Sequence, residues 1–429
     1  MDITPIQNVS GTITVPGDKS ISHRSIMLGA LANGTTTIEN FLLADDTLST
    51  LEAFQALGVP ITLSGSQVTI KGCGLRHLKE PEGPINLGNS GTTMRLLPGI
   101  LAGQNFPCCL TGDASLSTRP MERIITPLSL MGGQIISLLN DGCAPLLIRP
   151  GFLKGIHYVS PLASAQVKSC VLLAGLFAHS LTTVTEPFKS RNHTEIMMKS
   201  FGVNILETRS AAGKYSAVIK PGNALTGRHV IVPGDISSAA PFIALAALKP
   251  GSDLVIKDVG LNPTRTGFLE LLTRMGGYVE VSNIHGEGEK MGDIRIRCVP
   301  LHGVEIPSES IPALIDELPL VALIAALSEG QTSVTGAKDL RNKECDRINA
   351  TAEGLRRFGA DITPTEDGFL INGVKALKGG QASSFGDHRI AMMLSVAGLL
   401  SEEKSSVDNT SCVTISFPEF FDTLKAIVS

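Results

Sequence analysis

The residues best suited to chemistry in this chain are cations and small polar residues at helix starts. The stretch Leu87-Gly88-Asn89-Ser90-Gly91-Thr92-Thr93-Met94-Arg95 holds two glycines, an Asn and three hydroxyls ahead of an apolar run, Met94 to Leu101. Glycine allows backbone approaches that a Cβ forbids. The free N–H groups of a helix start attract an anion. The stretch reads either as an anion cradle opening a helix, with Arg95 inside the first turn, or as a Gly/Ser loop capping one. It is not a P-loop, because the Gly-Lys-Ser/Thr ending is missing, and it does not match Gly-x-Gly-x-x-Gly. An anion cradle needs cations from elsewhere in the chain.

Several such cations stand at helix starts. In Asp18-Lys19-Ser20-Ile21-Ser22-His23-Arg24, Ser20 and Arg24 share a helix face at i, i+4. Basic residues there oppose the helix dipole, which favours an anion partner. Arg119 follows the Ser/Thr-rich loop Asp113–Thr118 and precedes Pro120 and a helix. Ser164-Ala165-Gln166-Val167-Lys168 starts the apolar run Val171–His179, where Lys168 reads as a snorkelling flank. Lys343-Glu344-Cys345-Asp346-Arg347 opens another helix, with Lys343 and Arg347 at i, i+4, and a charged helix face is the bland alternative. Gly386-Asp387-His388-Arg389 precedes the apolar Ile390–Leu400. Ile315-Asp316-Glu317-Leu318-Pro319 leads into an apolar run to Leu327, so Asp316 is either a helix N-cap or a catalytic base.

Composition bounds the rest. The chain has 429 residues, enough for two or three domains with large cores. Hydrophobic residues make up 43% but aromatics only 4%, with no Trp, so the cores must be Leu, Ile, Val, Ala and Met. The net charge of −4 points away from nucleic acid and anionic membranes. A small anionic ligand then needs local cations. Met1-Asp2-Ile3-Thr4-Pro5 has no basic region followed by an apolar one, so no signal peptide is expected. Apolar runs such as Val171–Ala178 and Leu318–Leu327 are too short to span a bilayer and read as buried helices. The eight cysteines form no Cys-x-x-Cys pair and no zinc spacing. They fit a reducing cytoplasm, with thiols used as small core residues.

The chain also repeats itself. Val-Pro-Gly-Asp stands at 15–18 and again at 232–235, each time ahead of a Ser-containing helix start, an Ala/Leu-rich helix and a strand. The two halves read as duplicated domains. A finer unit recurs beneath: polar start, amphipathic helix, Gly, then two strands. Gly58, Gly132, Gly202, Gly276 and Gly359 mark its helix ends. Strands follow, such as Ser216–Lys220 and Phe369–Gly373. The last helix, Pro418–Val428, has no strands behind it, while Met1–Val15 is strand material with no helix in front. The expected domains are therefore 18–233, and 1–17 with 234–429, the second completed by the N-terminal strand. Two crossovers, near Pro16–Lys19 and Pro233–Ile236, would form a hinge. A cleft between two halves is a common substrate site.

Six separated motifs carry a resemblance. Asp18–Arg24, Leu87–Arg95, Arg119-Pro120-Met121, Ile315–Pro319, Lys343–Arg347 and Asp387-His388-Arg389 resemble the 5-enolpyruvylshikimate-3-phosphate synthases, in order, from residue 11 to about residue 421. The resemblance implies an α/β fold: a two-domain inverse α/β barrel with three βαβαββ units per domain, six in all, and buried helices. It implies transfer of the enolpyruvyl group from phosphoenolpyruvate to shikimate 3-phosphate, a step of chorismate and aromatic amino-acid synthesis. It implies no metal or organic cofactor. The expected partners are the two small substrates, with no nucleic acid and no membrane, in a cytoplasmic monomer.

Roles follow from the resemblance motif by motif. Lys19 touches both substrates, and Ser20 and Arg24 hold the shikimate moiety. Ser164, Ala165, Gln166 and Arg191 hold its 3-phosphate, with Gln166 also facing phosphoenolpyruvate. Asn89, Gly91, Arg119, Arg347 and Arg389 grip phosphoenolpyruvate. Asp316 accepts the 5-hydroxyl proton, with Lys343 beside it, and Glu344 protonates the methylene carbon. The chemistry explains the residue types. Two substrates bring two phosphates and two carboxylates, so cations must gather locally. The hydroxyl needs a base and the enol carbon needs an acid, so one carboxylate works ionised and another protonated.

Many members have Ser-Ser-Gln where this chain has Ser164-Ala165-Gln166, and Ser where it has Arg191. Many also carry a Lys shortly before the last helix, where this chain runs Thr414-Ile415-Ser416-Phe417-Pro418. The pattern resembles the family's second, more divergent branch. Two other readings compete. UDP-N-acetylglucosamine enolpyruvyl transferases typically carry a reactive Cys in the loop before the Arg, and Asp113–Thr118 has none. A non-catalytic two-domain anion-binding protein would not need Asp316 and Glu344.

Overall fold

The computed structural model describes residues 1–211 and 213–428. The chain divides into two compact units: Gly17–Val232, and Met1–Pro16 together with Pro233–Ser429. They are called the first and second unit below.

The α-helices of the first unit are α1 (Lys19–Leu31), α2 (Asp45–Ala56), α3 (Gly91–Leu101), α4 (Glu122–Leu130), α5 (Ala165–Gly175) and α6 (His193–Ser200). Those of the second are α7 (Ile236–Leu248), α8 (Gly267–Arg274), α9 (Leu318–Ala326), α10 (Arg347–Arg357), α11 (His388–Leu400) and α12 (Phe420–Ile427). Odd- and even-numbered helices differ in kind. In α5 every residue from Val167 to Gly175 is buried, and in α9 every residue is buried. A helix apolar all round must be enclosed. The even-numbered helices bury one stripe and show the other to solvent; α10 buries Ile348, Ala352 and Leu355 but exposes Arg356 and Arg357. Buried helices can approach closely where a side chain is missing. A Cβ on Gly99 of α3 would lie 2.3 Å from the carbonyl oxygen of Cys170 in α5, so only glycine fits that crossing.

Among the described residues each unit carries three small sheets, and five of the six sheets are alike. In the first, Asn33–Glu39 pairs in parallel with His229–Ile231 and antiparallel with Gln67–Cys73, and Ile61–Ser64 completes the sheet antiparallel to Gln67–Cys73. The same order, one parallel pair then two antiparallel ones, recurs for Ile85–Asn86, Cys108–Thr111, Leu146–Arg149 and Gln134–Ser137. It recurs again for His157–Val159, Thr182–Glu186, Tyr215–Ile219 and Ile205–Arg209. In the second unit, Ser10–Thr14 pairs in parallel with Asp253–Gly260, ahead of Met291–Arg297 and Tyr278–His285. Glu305–Ile306, Gln331–Val334, Phe369–Asn372 and Asp361–Pro364 follow suit. The sixth sheet stops at three strands: Gln381–Ala382, Ser405–Val407 and, antiparallel to the latter, Asp2–Ile3 from the N-terminus.

The Val-Pro-Gly-Asp repeat explains the connectivity. In each copy the strand before it belongs to one unit and the helix after it to the other. Ser10–Thr14 lies in the second unit and α1 in the first, while His229–Ile231 lies in the first and α7 in the second. Asp18 caps α1 by accepting the Ile21 N–H at 2.9 Å, and Asp235 caps α7 by accepting the Ser237 N–H at 2.8 Å. Gly58, Gly132, Gly202, Gly276 and Gly359 all have positive φ, between 80° and 93°, just past α2, α4, α6, α8 and α10. They end those helices as their spacing predicts.

Four local expectations are corrected. Arg95 is the fifth residue of α3, one turn beyond the helix start, because Ser90 is the N-cap. Lys343 and Arg347 share no helix face, because α10 begins only at Arg347 with Asp346 as its cap. Asp316 is not a helix cap: it lies in a short 3-10 turn, Ile315–Glu317, and Glu317 takes the N-cap position of α9. Lys168 does not snorkel; its side chain is wholly buried. Among the cysteines, Cys108, Cys170 and Cys412 are buried and the other five are partly exposed; all are free. Among the described residues no helix is long and apolar enough to cross a membrane.

Candidate active site

In the first unit the starts of α1 and α3 meet on one carboxylate, Asp46, at the start of α2. Lys19 Nζ lies 3.0 Å from its Oδ2, and His23 Nε2 lies 3.4 Å from its Oδ1. The Ser90 hydroxyl donates to the same Oδ1. Ser90 and Thr93 are 2.6 Å apart through their hydroxyls, Thr93 and Thr50 2.5 Å, and Thr50 and His23 Nδ1 2.6 Å. Asp46, Ser90, Thr93, Thr50 and His23 thus close a buried ring. Ser90 also caps α3 by accepting the Thr93 N–H at 3.3 Å. Burial pushes the Asp46 carboxyl up, but Lys19, His23 and Ser90 outweigh it and hold it well below the usual aspartate range. The ionised carboxylate fixes the Lys19 ammonium in place.

Next to Ser90, the backbone of Gly91 is faced by two guanidinium groups. A Cβ there would lie 3.1 Å from Arg119 Nη1 and 3.5 Å from Arg95 Nη1. Arg119 Nη2 donates to Asn89 Oδ1 at 2.7 Å and to Ser115 Oγ at 3.2 Å, and Asn89 Nδ2 donates to Asp113 at 2.8 Å. Arg95 Nη1 donates to Gln166 Oε1 at 3.0 Å. The Leu87–Arg95 stretch is therefore both a helix cap and a cradle with cations converging on it.

Arg24 is buried and joins three elements. Its Nε donates to Thr194 Oγ1 at 2.7 Å, Nη1 to the Ser20 carbonyl at 2.9 Å and Nη2 to Ser169 Oγ at 2.8 Å. It frames Ser20 from α1 against α5 and α6. Ser164 is the N-cap of α5 and accepts the Val167 N–H at 3.4 Å, which leaves Ala165 as the first helical residue and Gln166 as the second. Arg191 is half-buried in the turn before α6.

The second unit gathers its residues on a cation. Arg347, 1% exposed, donates through Nε to Asp387 Oδ2 at 2.7 Å, through Nη2 to Glu344 Oε2 at 2.5 Å and through Nη1 to Asp316 Oδ1 at 3.5 Å. Arg389 donates through Nη1 to the Asp316 carbonyl at 3.2 Å, and its Nη2 lies 3.7 Å from Asp316 Oδ2. Asp387 caps α11 by accepting the Arg389 N–H at 2.8 Å. Burial alone would raise the Asp387 carboxyl, but Arg347 pulls it below the usual range. Burial alone would lower the Arg347 guanidinium; Asp387, Glu344 and Asp316 hold it above its ordinary value. Cys345 Sγ lies 3.6 Å from Asp387 Oδ2, and burial followed by that carboxylate pushes its thiol far up. That shift favours the neutral thiol over the thiolate. Lys343 pairs with Asp339 at 3.3 Å.

The structure thus brings Lys19 and Ser90 to Asp46, Gly91 to Arg119 with Asn89, Asp316 and Glu344 to Arg347, and Arg389 to Asp316. Asp46, His23 and Asp387 are site-building residues that the sequence does not single out. Asp45-Asp46 at a helix start looks like ordinary dipole compensation. Only its fold partners, Lys19 and Ser90, show its use. Asp387 lies within a motif and its cap role is legible in the sequence, but its bond to Arg347 spans 40 residues.

Comparison with known proteins agrees with the motifs. The family model of EPSP synthase (3-phosphoshikimate 1-carboxyvinyltransferase) matches residues 3–424. The 3-phosphoshikimate 1-carboxyvinyltransferase of Citrifermentans bemidjiense is 49% identical over 427 residues, covering 99% of this chain and 98% of that one. That of Bacillus velezensis is 50% identical over 424 residues, covering 98% of each. The solved EPSP synthase of Acinetobacter baumannii is 46% identical, covers 100% of this chain and 98% of its own, and superposes with a TM-score of 0.88. The six sheets with their buried helices are the inverse α/β fold of those proteins, and with a family model spanning nearly the whole length, the chain belongs to the EPSP synthase family.

Proposed function

We propose that this chain performs the reaction of its family with the residues described above. It transfers the enolpyruvyl group of phosphoenolpyruvate to the 5-hydroxyl of shikimate 3-phosphate and releases phosphate, a transferase step of aromatic amino-acid biosynthesis. The observation that carries the division of labour is the placing of Asp316 and Glu344 on one guanidinium, Arg347. Two carboxylates on one cation can hold different protonation states and act as base and acid.

Asp316 takes the proton of the 5-hydroxyl, with Arg389 beside it in the second unit; Lys343 serves the same substrate. Glu344 gives a proton to the methylene carbon, which makes the enol carbon electrophilic. The resulting tetrahedral adduct loses phosphate. Asn89, Gly91, Arg119, Gln166, Arg347, Arg389 and Lys19 bind phosphoenolpyruvate. The Asp387 carboxylate on Arg347 is wholly buried, whereas Glu344 is 26% and Asp316 13% exposed. A substrate anion therefore competes with Glu344 for Arg347 and leaves the Asp387 bond in place. Ser20, Arg24, Ser164, Ala165, Gln166 and Arg191 hold shikimate 3-phosphate, the last four at its phosphate. Ala165 as first residue of α5 offers a free-pointing backbone N–H of the kind phosphates use.

The test is phosphate release that requires both substrates together. Release from phosphoenolpyruvate alone, or no release with both substrates present, would refute it. The protein works as a cytoplasmic monomer in this reading; sedimentation velocity at assay concentration checks the monomer.

A further inference from the structure

The fold holds a buried charged cluster that the reaction above does not use. Lys168 in α5, Glu186 at the end of strand Thr182–Glu186 and Glu195 in α6 have side chains with no solvent exposure. Lys168 Nζ lies 2.8 Å from Glu186 Oε2 and 2.9 Å from Glu195 Oε1, and donates to the Ser190 carbonyl at 3.3 Å. The Tyr215 hydroxyl donates to Glu207 at 2.6 Å and lies 3.1 Å from Glu195, and its ring lies 4.8 Å from the ammonium. Apolar side chains of the same volume would fill this space at no desolvation cost. A buried ion cluster in their place fixes geometry.

The geometry it fixes is specific. Glu186 Oε1 accepts the Ser164 backbone N–H at 3.0 Å and the Ser190 hydroxyl at 2.7 Å. Glu186 Oε2 also accepts the Ser190 N–H at 3.4 Å. One carboxylate therefore ties the N-cap of α5 to the residue just before Arg191. Lys168, three residues into α5 from Ala165, grips the other side of the same turn through the Ser190 carbonyl. The Ser164–Gln166 start and the Arg191 turn are about 25 residues apart in sequence, and the bonds of Glu186 and Lys168 join them.

We infer that Lys168, Glu186 and Glu195 are positioning residues that set the spacing between Ser164-Ala165 and Arg191, and so the affinity for the phosphate of shikimate 3-phosphate. The inference rests on the reading that these residues hold that phosphate. Phosphate binding through backbone N–H and guanidinium groups depends steeply on their spacing. Shikimate itself, which lacks the phosphate, gains nothing from that spacing.

Glu186→Gln is the main test, because it keeps the side-chain volume and leaves Lys168 paired with Glu195. Affinity for shikimate 3-phosphate should fall about tenfold, the worth of one charge-assisted bond. Affinity for shikimate and the KM for phosphoenolpyruvate should stay within about twofold. Arg191→Ala provides the reference, and the double variant should bind shikimate 3-phosphate no more weakly than about twofold below the worse single one, since both act on one contact set. Ser190→Ala, which removes only the hydroxyl link, should give the same selective loss at smaller size and does not threaten folding. If both Glu186→Gln and Ser190→Ala weaken shikimate as much as its phosphate, the cluster is merely structural and the inference fails. If Arg191→Ala weakens shikimate 3-phosphate selectively while Glu186→Gln and Ser190→Ala do not, the inference fails and the phosphate reading stands. If Arg191→Ala has no selective effect either, both fall.

Discussion

The two units build their sites on opposite charges. In the first, a buried carboxylate, Asp46, collects Lys19, His23 and the Ser90 hydroxyl. In the second, a buried guanidinium, Arg347, collects Asp387, Glu344 and Asp316. The repeated Val-Pro-Gly-Asp and the repeated sheets give both units the same scaffold. The polarity placed on it is reversed. An anion at the hub leaves cations at the rim, suited to holding phosphates and carboxylates. A cation at the hub leaves carboxylates at the rim, suited to moving protons. The hubs differ in exposure as well. The Asp46 side chain is 10% exposed and that of Arg347 2%, so water reaches the first hub more readily than the second.

The largest expected effect tests the proton-handling rim. Asp316→Asn should lower turnover by roughly 10²–10⁴, the usual worth of a positioned base, with shikimate 3-phosphate affinity held within about tenfold. Steady-state kinetics with calorimetric binding reads both. Because Asp316 is no helix cap, the melting transition should move little, and a large loss of stability with normal turnover would contradict the assignment.

The hub of the second unit comes next. Arg347→Ala leaves three carboxylates around an empty centre and should cost about 3–5 kcal/mol in urea unfolding. Arg347→Lys should not restore it, because one ammonium cannot bond three carboxylates in a fixed fork. A Lys variant as stable as the parent would break the comparison.

Gly91→Ala probes the cation-lined rim of the first unit. The added methyl would sit 3.1 Å from Arg119 Nη1, so that guanidinium must give way by a few tenths of an ångström. Overpacking of this kind costs about 1–3 kcal/mol. A longer ligand in the same place should suffer more than a compact one. Glyphosate, a phosphoenolpyruvate mimic in enzymes that this chain resembles, should lose more affinity than phosphoenolpyruvate. Equal fold-changes in paired titrations would mean that Gly91 does not discriminate by length.

The smallest effect is with acid. The folded carboxyls of Asp46 and Asp387 both lie below the ordinary aspartate value. Their stabilisation is complete above the unfolded value, about pH 4, and is lost as pH falls through the depressed folded values. Asp46→Asn should lower stability at neutral pH by about 1–3 kcal/mol and flatten the loss below about pH 4. Unfolding free energies across the acid range check this. An unchanged acid slope would show that Asp46 does not draw stability from its ionised form.

Much of this was written locally. The helix-ending glycines, the capping aspartates and the apolar inner helices are short-range signals, because φ, capping bonds and burial stripes are set within a turn or two. The Asp18–Arg24, Leu87–Arg95 and Lys343–Arg347 motifs could be found for the same reason: each lies within one stretch of chain. What those motifs hold could not. Asp316 reads as either a cap or a base until Arg347 is seen 31 residues away, and Lys168 reads as a snorkelling flank until Glu186 and Glu195 enclose it. Asp46 gives no sign of being a hub until α1 and α3 bring Lys19 and Ser90 to it. Propensity and capping act along the chain, whereas desolvation and ion pairing act through space. The sequence by itself determined which segments are helices, where they end and which family they serve. Only the tertiary structure decided which charge sits at the centre of each unit, because a charge survives burial only beside partners that folding supplies.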